Sequence, residues 1–283
     1  MAMKINKETL CVVSMPYWHH TLEYGLESVA SCGFQNVEFW AASPHYCYAD
    51  YTAQERKARK QEILAMMKAR GLKMPVFAPE QMDLYTLNIA SPEAYIQSTS
   101  MDRIMEYLED AVEFGAGAMM LGTGWQYLDD PKEENYQRSI AAVKKIAARA
   151  QELGLTLLIE PMGRTSGTFV WDLPTLQQYL KDVNLPNVKA CLNTAGILED
   201  EHSLKEWFEG LQGCVGHVHF ADKGGKILGM GGADVDSELH LLETLGYDGL
   251  VSLNITFRDC CINPDRAVFP SAKWLKKKGF LED

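Results

Sequence analysis

Short, almost uninterrupted hydrophobic runs alternate with longer amphipathic segments along the chain. Runs such as "VVSM" and "LTLLI" have no regular polar position, which is typical of strands that are buried on both faces of a parallel sheet. Eight strands are predicted in this way: Leu10–Met15, Asn36–Trp40, Met74–Ala78, Ala118–Leu121, Thr156–Glu160, Val188–Leu192, Val215–Phe220 and Leu250–Ile255.

The segments between these strands carry hydrophobic residues at helical spacing. Several end on a glycine, as in "ARGL" and "ELGL", because glycine readily adopts the left-handed conformation that closes a helix. The predicted helices are Leu22–Cys32, Gln54–Arg70, Tyr95–Phe114, Tyr136–Leu153, Leu173–Val183, Leu204–Leu211, Asp236–Leu245 and Pro264–Lys277.

Eight strand-then-helix units predict a (β/α)8 barrel, and the length of 283 residues fits one such domain over residues 1–283. An open, doubly wound sheet is the alternative fold. It is disfavoured because no GxGxxG turn follows any predicted strand. No linker or change in composition marks a second domain.

Composition narrows the class of protein. The net charge of −11 argues against a nucleic-acid partner, since such binding depends on clustered Lys and Arg. No hydrophobic run is long enough to span a membrane, and the N-terminus does not have the pattern of a signal peptide. The seven cysteines lack CxxC or zinc-finger spacing, so we expect reduced thiols, no disulfides and a cytoplasmic location.

Chemistry in a barrel gathers at the carboxyl ends of the strands. Glu160, Asn193, His219 and Asn254 each close a hydrophobic strand, and they lie on four consecutive predicted strands. One imidazole and three oxygen-bearing side chains would suit a divalent cation such as Mn²⁺, Mg²⁺ or Co²⁺. An alternative interpretation is that the two asparagines are hydrogen-bonded strand ends with no role as ligands.

Longer motifs add a family resemblance. The stretches "NVEFW", "LLIEPMGR", "VKACLNTAGI", "GHVHFAD" and "GYDGLVSLNI" resemble the sugar phosphate isomerase/epimerase family with a xylose isomerase-like barrel, and especially ketose 3-epimerases of the tagatose and psicose type. The resemblance implies one divalent metal held by Glu, Asp, His and Glu from strands 5 to 8, with the two glutamates moving the substrate proton. Glu160 and His219 carry over as ligands and catalytic residues, and a homodimer or homotetramer is implied.

The chain departs from this pattern at two ligand positions. Asn193 replaces the Asp and Asn254 replaces the second Glu, so Glu160 is the single anionic member of the ligand set. Gly196 and Ser166 stand where the family has a His and an acidic substrate contact. Since an amide supplies a dipole in place of a full charge, we expect a weak or absent metal. Asn254 cannot titrate, so a two-base mechanism would need another carboxylate, such as Glu38, Glu80 or Asp222. One-base chemistry, in which Glu160 moves a proton on a single face, and an elimination assisted by His219 or His217 are the alternatives.

Further strand-end residues are candidates for contacts with substrate. They are aromatic or charged: Trp18, Glu38, Trp40, Trp125, Arg164 and His217. Tryptophan could stack on a sugar ring, and Arg164 could bind an anionic group. Packing roles for the tryptophans, an ion pair for Arg164 and a structural interior role for His217 are the alternatives.

Three functions are then in competition. The first is a sugar isomerase or epimerase-type enzyme that transfers a proton next to the carbonyl of a keto sugar, aldo sugar or polyol derivative. The second is a metal-free pseudoenzyme, either a carbohydrate-binding protein or a partner subunit of the same fold. The third, a DNA-repair endonuclease on a similar barrel, is disfavoured by the acidic balance and by the small number of histidines.

Overall fold

A closed barrel of eight parallel strands forms the centre of the molecule. The computed structural model describes residues 5–81, 87–129, 132–211 and 213–282. The strands are β1 (Leu10–Val13), β2 (Asn36–Ala41), β3 (Lys73–Pro79), β4 (Ala118–Met120), β5 (Thr156–Ile159), β6 (Val188–Asn193), β7 (Val215–Phe220) and β8 (Leu250–Leu253). Each strand pairs with the next and β8 pairs with β1, so the predicted single-domain (β/α)8 barrel is confirmed.

Nine α-helices of the described ranges surround this barrel. They are α1 (Leu22–Ser31), α2 (Ala53–Ala69), α3 (Ala94–Glu113), α4 (Lys132–Glu152), α5 (Leu173–Val183), α6 (Thr194–Glu199), α7 (Leu204–Leu211), α8 (Val235–Thr244) and α9 (Asp265–Lys278). Side chains define several starts: Thr52 and Glu55 form a reciprocal capping box at the start of α2, which satisfies two backbone donors. No helix within the described ranges has the length and apolar character needed to cross a membrane.

The sequence pattern did not predict α6. Only six residues long, α6 follows β6 without an intervening loop, so it has too few turns to establish a helical period. Asn193 is both the last residue of β6 and the N-cap of α6, where its side-chain oxygen accepts hydrogen bonds from the backbone N–H groups of Ala195 and Gly196.

Strand register brings the polar strand ends to one side of the barrel. Glu38 is aligned with Val13 of β1, and His219 is aligned with Asn193 and Ser252 on its two neighbours. Inside the barrel, the side chains of Val76, Leu158 and Cys191 form a small, fully buried cluster. This cluster closes the barrel interior, so the polar side chains lie at the carboxyl ends of the strands, where sites form in this fold.

The glycine-rich stretch after β7 is held by one carboxylate. Asp222 accepts hydrogen bonds from the backbone N–H groups of Lys223 (2.7 Å), Gly231 (2.8 Å) and Ala233 (3.1 Å). A Cβ on Gly231 would lie 2.4 Å from Asp222 Oδ1, so only glycine permits this approach. Asp222 is fully buried and therefore acts as the support of this loop.

Candidate active site

A cavity of about 230 Å³ opens at the carboxyl ends of the strands. Its charged and polar lining comes from Glu38, Glu80, Gln81, Glu160, His219 and Asn254, and its apolar lining includes Met15, Trp40 and Met162. Three carboxylates and one imidazole thus face a small space bordered by apolar groups.

Glu38 lies at the centre of a buried ion-pair cluster. One carboxylate oxygen is 2.8 Å from His219 Nε2 and the other is 2.8 Å from His217 Nε2. His217 Nε2 is also 3.0 Å from Ser252 Oγ. Burial raises the pKa of Glu38, but the two adjacent imidazoles outweigh burial and hold that pKa well below its ordinary value. Glu38 is consequently a buried anion already occupied by two histidines.

Glu160 extends this cluster toward β6. Its Oε2 is 3.1 Å from His219 Nδ1, and its Oε1 accepts a hydrogen bond of 2.6 Å from Asn193 Nδ2. Burial raises the pKa of Glu160, whereas His219 and the amide donor of Asn193 lower it, and the balance is a lowered pKa. Glu160 is therefore ionised at neutral pH and faces the cavity.

His219 lies between the two carboxylates. Burial lowers its pKa, but the Cys191 thiol and the carboxylates of Glu38 and Glu160 around the ring raise the pKa well above its ordinary value. Its Nδ1 is close to Glu160 but not aligned for a hydrogen bond, and this buried atom has no hydrogen-bond partner among the described residues. The ring is fixed through Nε2 while Nδ1 is directed toward β5 and β6.

Both polar groups of the Asn193 side chain already have hydrogen-bond partners. Its oxygen caps α6, and its amide nitrogen donates to Glu160. This orientation follows from the partners, because backbone N–H groups need an acceptor and a carboxylate needs a donor. The oxygen that could coordinate a cation is directed at the start of the helix.

The ligand set implied by the family resemblance is therefore a poor fit here. Glu160 and His219 retain suitable donor atoms, but Asn193 presents an N–H to Glu160 where a cation would need an oxygen. Asn254 lines the cavity, yet its amide brings no charge. A hard divalent cation depends on charged oxygen ligands, so no metal-dependent step is assigned to these four residues.

The other predicted contacts lie at different distances from the cavity. Trp40 lines the cavity and donates from Nε1 to Glu80 Oε2 (3.1 Å). Trp18 packs edge-on against Trp40, donates to the carbonyl of Ser43, and lines a separate surface depression. His217 is an interior residue behind Glu38, with 1% of its surface exposed.

Trp125 and Arg164 do not line this cavity within the part of the chain that the structure describes. The backbone of Trp125 bridges to Thr168, and its ring packs on Tyr127. The Arg164 side chain is 79% exposed; it lies 3.8 Å from Asp172 and above the ring of Trp171. In this structure Arg164 makes the ion pair with a neighbouring carboxylate that was the alternative to binding an anion.

Two interior residues next to the histidines were not predicted from the sequence. Cys191 and Ser252 lie beside His219 and His217, respectively. Cys191 precedes Asn193 by two positions, so strand alternation places both side chains on the same face. That spacing was an available signal for Cys191, whereas Ser252 lies inside an apolar run with no distinguishing neighbour.

Comparison with known proteins agrees with this architecture. The sequence model described as "Xylose isomerase-like TIM barrel" matches residues 26–278, and the chain belongs to this family. It is 24% identical over 239 residues to the D-psicose 3-epimerase of Ruminiclostridium cellulolyticum, covering 83% of this chain and 78% of that protein.

Two further comparisons lead to the same group of proteins. The chain is 22% identical over 247 residues to a ketose 3-epimerase of Arthrobacter globiformis, covering 86% of this chain and 80% of that protein. The crystal structure of D-psicose 3-epimerase with D-tagatose from Clostridium cellulolyticum H10 superposes with a TM-score of 0.77 at 20% identity, over 96% of this chain and 98% of the other. At this identity, structural similarity shows the fold.

Proposed function

We propose that the chain is a sugar isomerase or epimerase-type enzyme that transfers a proton next to the carbonyl of a keto sugar, aldo sugar or polyol derivative. One observation carries the proposal: ionised Glu160 and a second carboxylate, Glu80, line the same small cavity. The family relation and the names of the epimerase relatives support the class of substrate.

Glu160 is the proposed base. It is ionised because its pKa is lowered, and it faces the cavity at the carboxyl end of β5. The carboxylate would remove a proton from the carbon beside the carbonyl, while the cationic His219 next to it stabilises the negative charge that develops. The apolar lining of Met15, Trp40 and Met162 limits water around the reacting carbon.

Glu80 is the proposed second proton-transfer group. Of the three carboxylates suggested by the sequence, Glu38 is held by two histidines and Asp222 by three backbone N–H groups. Glu80 is largely buried at the end of β3 and lines the cavity beside Trp40. Removal of a proton by the Glu160 carboxylate, with delivery of another proton by the carboxylic acid of Glu80 on the opposite face, would invert the carbon, and both groups then exchange protons with solvent.

Isotope exchange tests these roles directly. A panel of ketoses is incubated in D2O with chelator and, separately, with Mn²⁺; NMR then measures deuterium in recovered substrate and in product. We expect Glu160→Gln to lose both exchange and product by at least about 100-fold. Glu80→Gln is expected to lose product while Glu160 still exchanges the substrate proton. Full product formation by Glu160→Gln would contradict the assignment.

The runner-up is a metal-free carbohydrate-binding protein or partner subunit. The observation that favours it is the orientation of Asn193, whose amide occupies Glu160 Oε1. Absence of exchange by the wild type for every sugar tested, together with an increase in Tm with one of them, would select this function over catalysis. Variants at Glu160 would then change the sugar-induced Tm shift only.

Location and assembly also remain proposals. All seven cysteines are free, which supports a reducing compartment such as the cytoplasm. A homodimer or homotetramer, implied by the family resemblance, is checked by sedimentation of the purified chain. The expected small-molecule partner is a sugar or a sugar derivative, without nucleic acid or membrane.

A further inference from the structure

A second set of donor atoms combines Glu160 and His219 with Cys191, which lies deeper in the barrel interior. Ligand atoms of Glu160, Cys191 and His219 all lie within 4.8 Å of one another. Cys191 comes from β6, two residues before Asn193, and its side chain is fully buried in the barrel interior. The cluster therefore combines a carboxylate, a thiol and an imidazole from three adjacent strands.

We propose that Glu160, Cys191 and His219 form a binding site for Zn²⁺, a cation softer than the Mn²⁺ or Mg²⁺ expected from the sequence. Thiolate, imidazole and carboxylate are the three ligand types that zinc takes in proteins. Hard cations such as Mg²⁺ favour oxygen ligands throughout. The proposal shares Glu160 and His219 with the proposed function, but it concerns metal binding, which titrations measure without any turnover of sugar.

The contacts of the two ring nitrogens of His219 are a second observation in support of a zinc site. Its Nε2 is 2.8 Å from Glu38 Oε1, and a histidine that holds a metal commonly donates its other ring N–H to such a carboxylate. Its buried Nδ1 has no hydrogen-bond partner among the residues that the structure describes, although Glu160 Oε2 is 3.1 Å away. Zinc between Nδ1 and the carboxylate would take the place of the proton that the cationic His219 carries on Nδ1, and would bind both atoms.

The position of the cluster leaves room for a fourth ligand. Glu160 and His219 line the cavity, whereas Cys191 lies beneath it. Three protein ligands with an open position are typical of catalytic zinc, and a fourth closed ligand is typical of structural zinc. On binding, the Cys191 Sγ–H bond and the His219 Nδ1–H bond break, both protons pass to solvent, and the thiolate and the neutral imidazole form the bonds to the metal.

Cobalt reports on this geometry because a Co²⁺–thiolate pair gives a charge-transfer absorption band. The full-length, chelator-treated protein is titrated with Zn²⁺, Co²⁺ and Mn²⁺ by calorimetry, and the Co²⁺ titration is followed by absorption. We expect one Zn²⁺ per chain, a thiolate–cobalt band, and Mn²⁺ binding at least about 100-fold weaker than Zn²⁺, in keeping with the preference of thiolates for softer metals.

Two serine variants distinguish loss of a zinc ligand from a general effect of removing a buried thiol. Cys191→Ser is expected to abolish the thiolate–cobalt band and to weaken Zn²⁺ binding at least about 100-fold. Cys32→Ser is the matched control, because Cys32 is also buried and burial raises the pKa of both thiols to about 12. It is expected to retain the band and the affinity.

X-ray absorption of the zinc-loaded wild type keeps the proposal testable if Cys191→Ser does not fold. A Zn–S shell at about 2.3 Å supports it. Absence of bound zinc, a coordination shell without sulfur, or a cobalt band that persists in Cys191→Ser would each overturn it. Absence of zinc would mean that the cationic His219 alone balances the charges of Glu38 and Glu160.

Discussion

Replacing Asn193 by Asp would place two carboxylates against each other. In the wild type, Asn193 Nδ2 donates to Glu160 Oε1 at 2.6 Å, while Asn193 Oδ1 caps α6. Aspartate is an equally good N-cap, so Asn193→Asp preserves the helix start. It removes a hydrogen bond to a charged group, which contributes about 1.5–3 kcal/mol, and puts an anion in its place.

Protonation of one of the two carboxylates limits the loss of stability in Asn193→Asp. Two charges about 3 Å apart repel by roughly 5.5 kcal/mol at an effective dielectric constant of about 20. Sharing one proton avoids this repulsion, and at pH 7 protonating a carboxyl with an ordinary pKa near 4.3 costs about 3.7 kcal/mol. We therefore expect Asn193→Asp to lower the free energy of unfolding by about 2–4 kcal/mol at pH 7.

The pH dependence has a defined sign. The shared proton raises the pKa of the carboxyl pair in the folded state, so the proton is bound more tightly there than in the unfolded chain. Stability relative to the wild type is then retained below the ordinary carboxyl pKa and lost as pH rises. At pH 5, protonation costs only about 1 kcal/mol, and the difference between variant and wild type should shrink accordingly.

Urea unfolding in chelator at pH 5 and pH 7, repeated with Mn²⁺, measures this effect. Mn²⁺ at about 100 times its Kd should return about 2.7 kcal/mol to Asn193→Asp, because a cation relieves the repulsion. Asn193→Ser is the control: it keeps a capping oxygen and adds no charge, so its loss should not vary between these pH values. An Asn193→Asp protein within about 0.5 kcal/mol of the wild type at pH 7 would refute the assigned orientation of Asn193.

Three further single substitutions, one of them paired with a double variant, test contacts outside the proton-transfer groups. Asp222→Ala leaves three backbone N–H groups of the glycine-rich loop without their acceptor and should cost about 3 kcal/mol in urea unfolding; equal stability would contradict the support role. Asp110→Ala removes the shared partner of Lys60 Nζ (2.7 Å) and Tyr46 Oη (2.6 Å) and should cost about 3 kcal/mol. Lys60→Met/Asp110→Leu should recover only the part of this loss that is due to Lys60, because Tyr46 Oη still lacks its acceptor. Arg164→Ala should change unfolding free energy by under about 0.5 kcal/mol and sugar KM by less than about twofold, since its side chain is 79% exposed; a tenfold rise in KM would restore the anion-binding hypothesis.

Hydrophobic patterning predicted the barrel well because most strand residues are buried, on both faces of the sheet. The predicted Val215–Phe220 strand and the predicted Leu173–Val183 and Leu204–Leu211 helices agree with the observed bounds. The six residues of α6 form a helix because of their tertiary contacts, which the sequence pattern does not contain. The helix begins directly after Asn193, which is both a residue of β6 and the N-cap of α6. Helix α4 begins at Lys132, four residues before the predicted start at Tyr136. The prediction began late because Tyr136 is the first apolar residue of the helical pattern.

The strand ends were predictable as a location, and their contacts were less so. That Glu38 lies against both His217 and His219 depends on closure of the barrel, which brings β2 opposite β7 across the interior. No sequence spacing encodes that distance of about 180 positions along the chain. Likewise, the orientation of the Asn193 amide is set by two partners, the N-terminus of α6 and Glu160, and the sequence does not predict that both contact Asn193.

The line of contacts from Glu38 through His219 and Glu160 to Asn193 has a consequence for how this protein can change over generations. Each member has its charge or donor matched by the next, so most single replacements leave a buried charge or donor unmatched. Their effects must be strongly non-additive. The order in which substitutions arise therefore matters, and a new chemistry at this barrel mouth is reached most readily through paired changes on neighbouring strands.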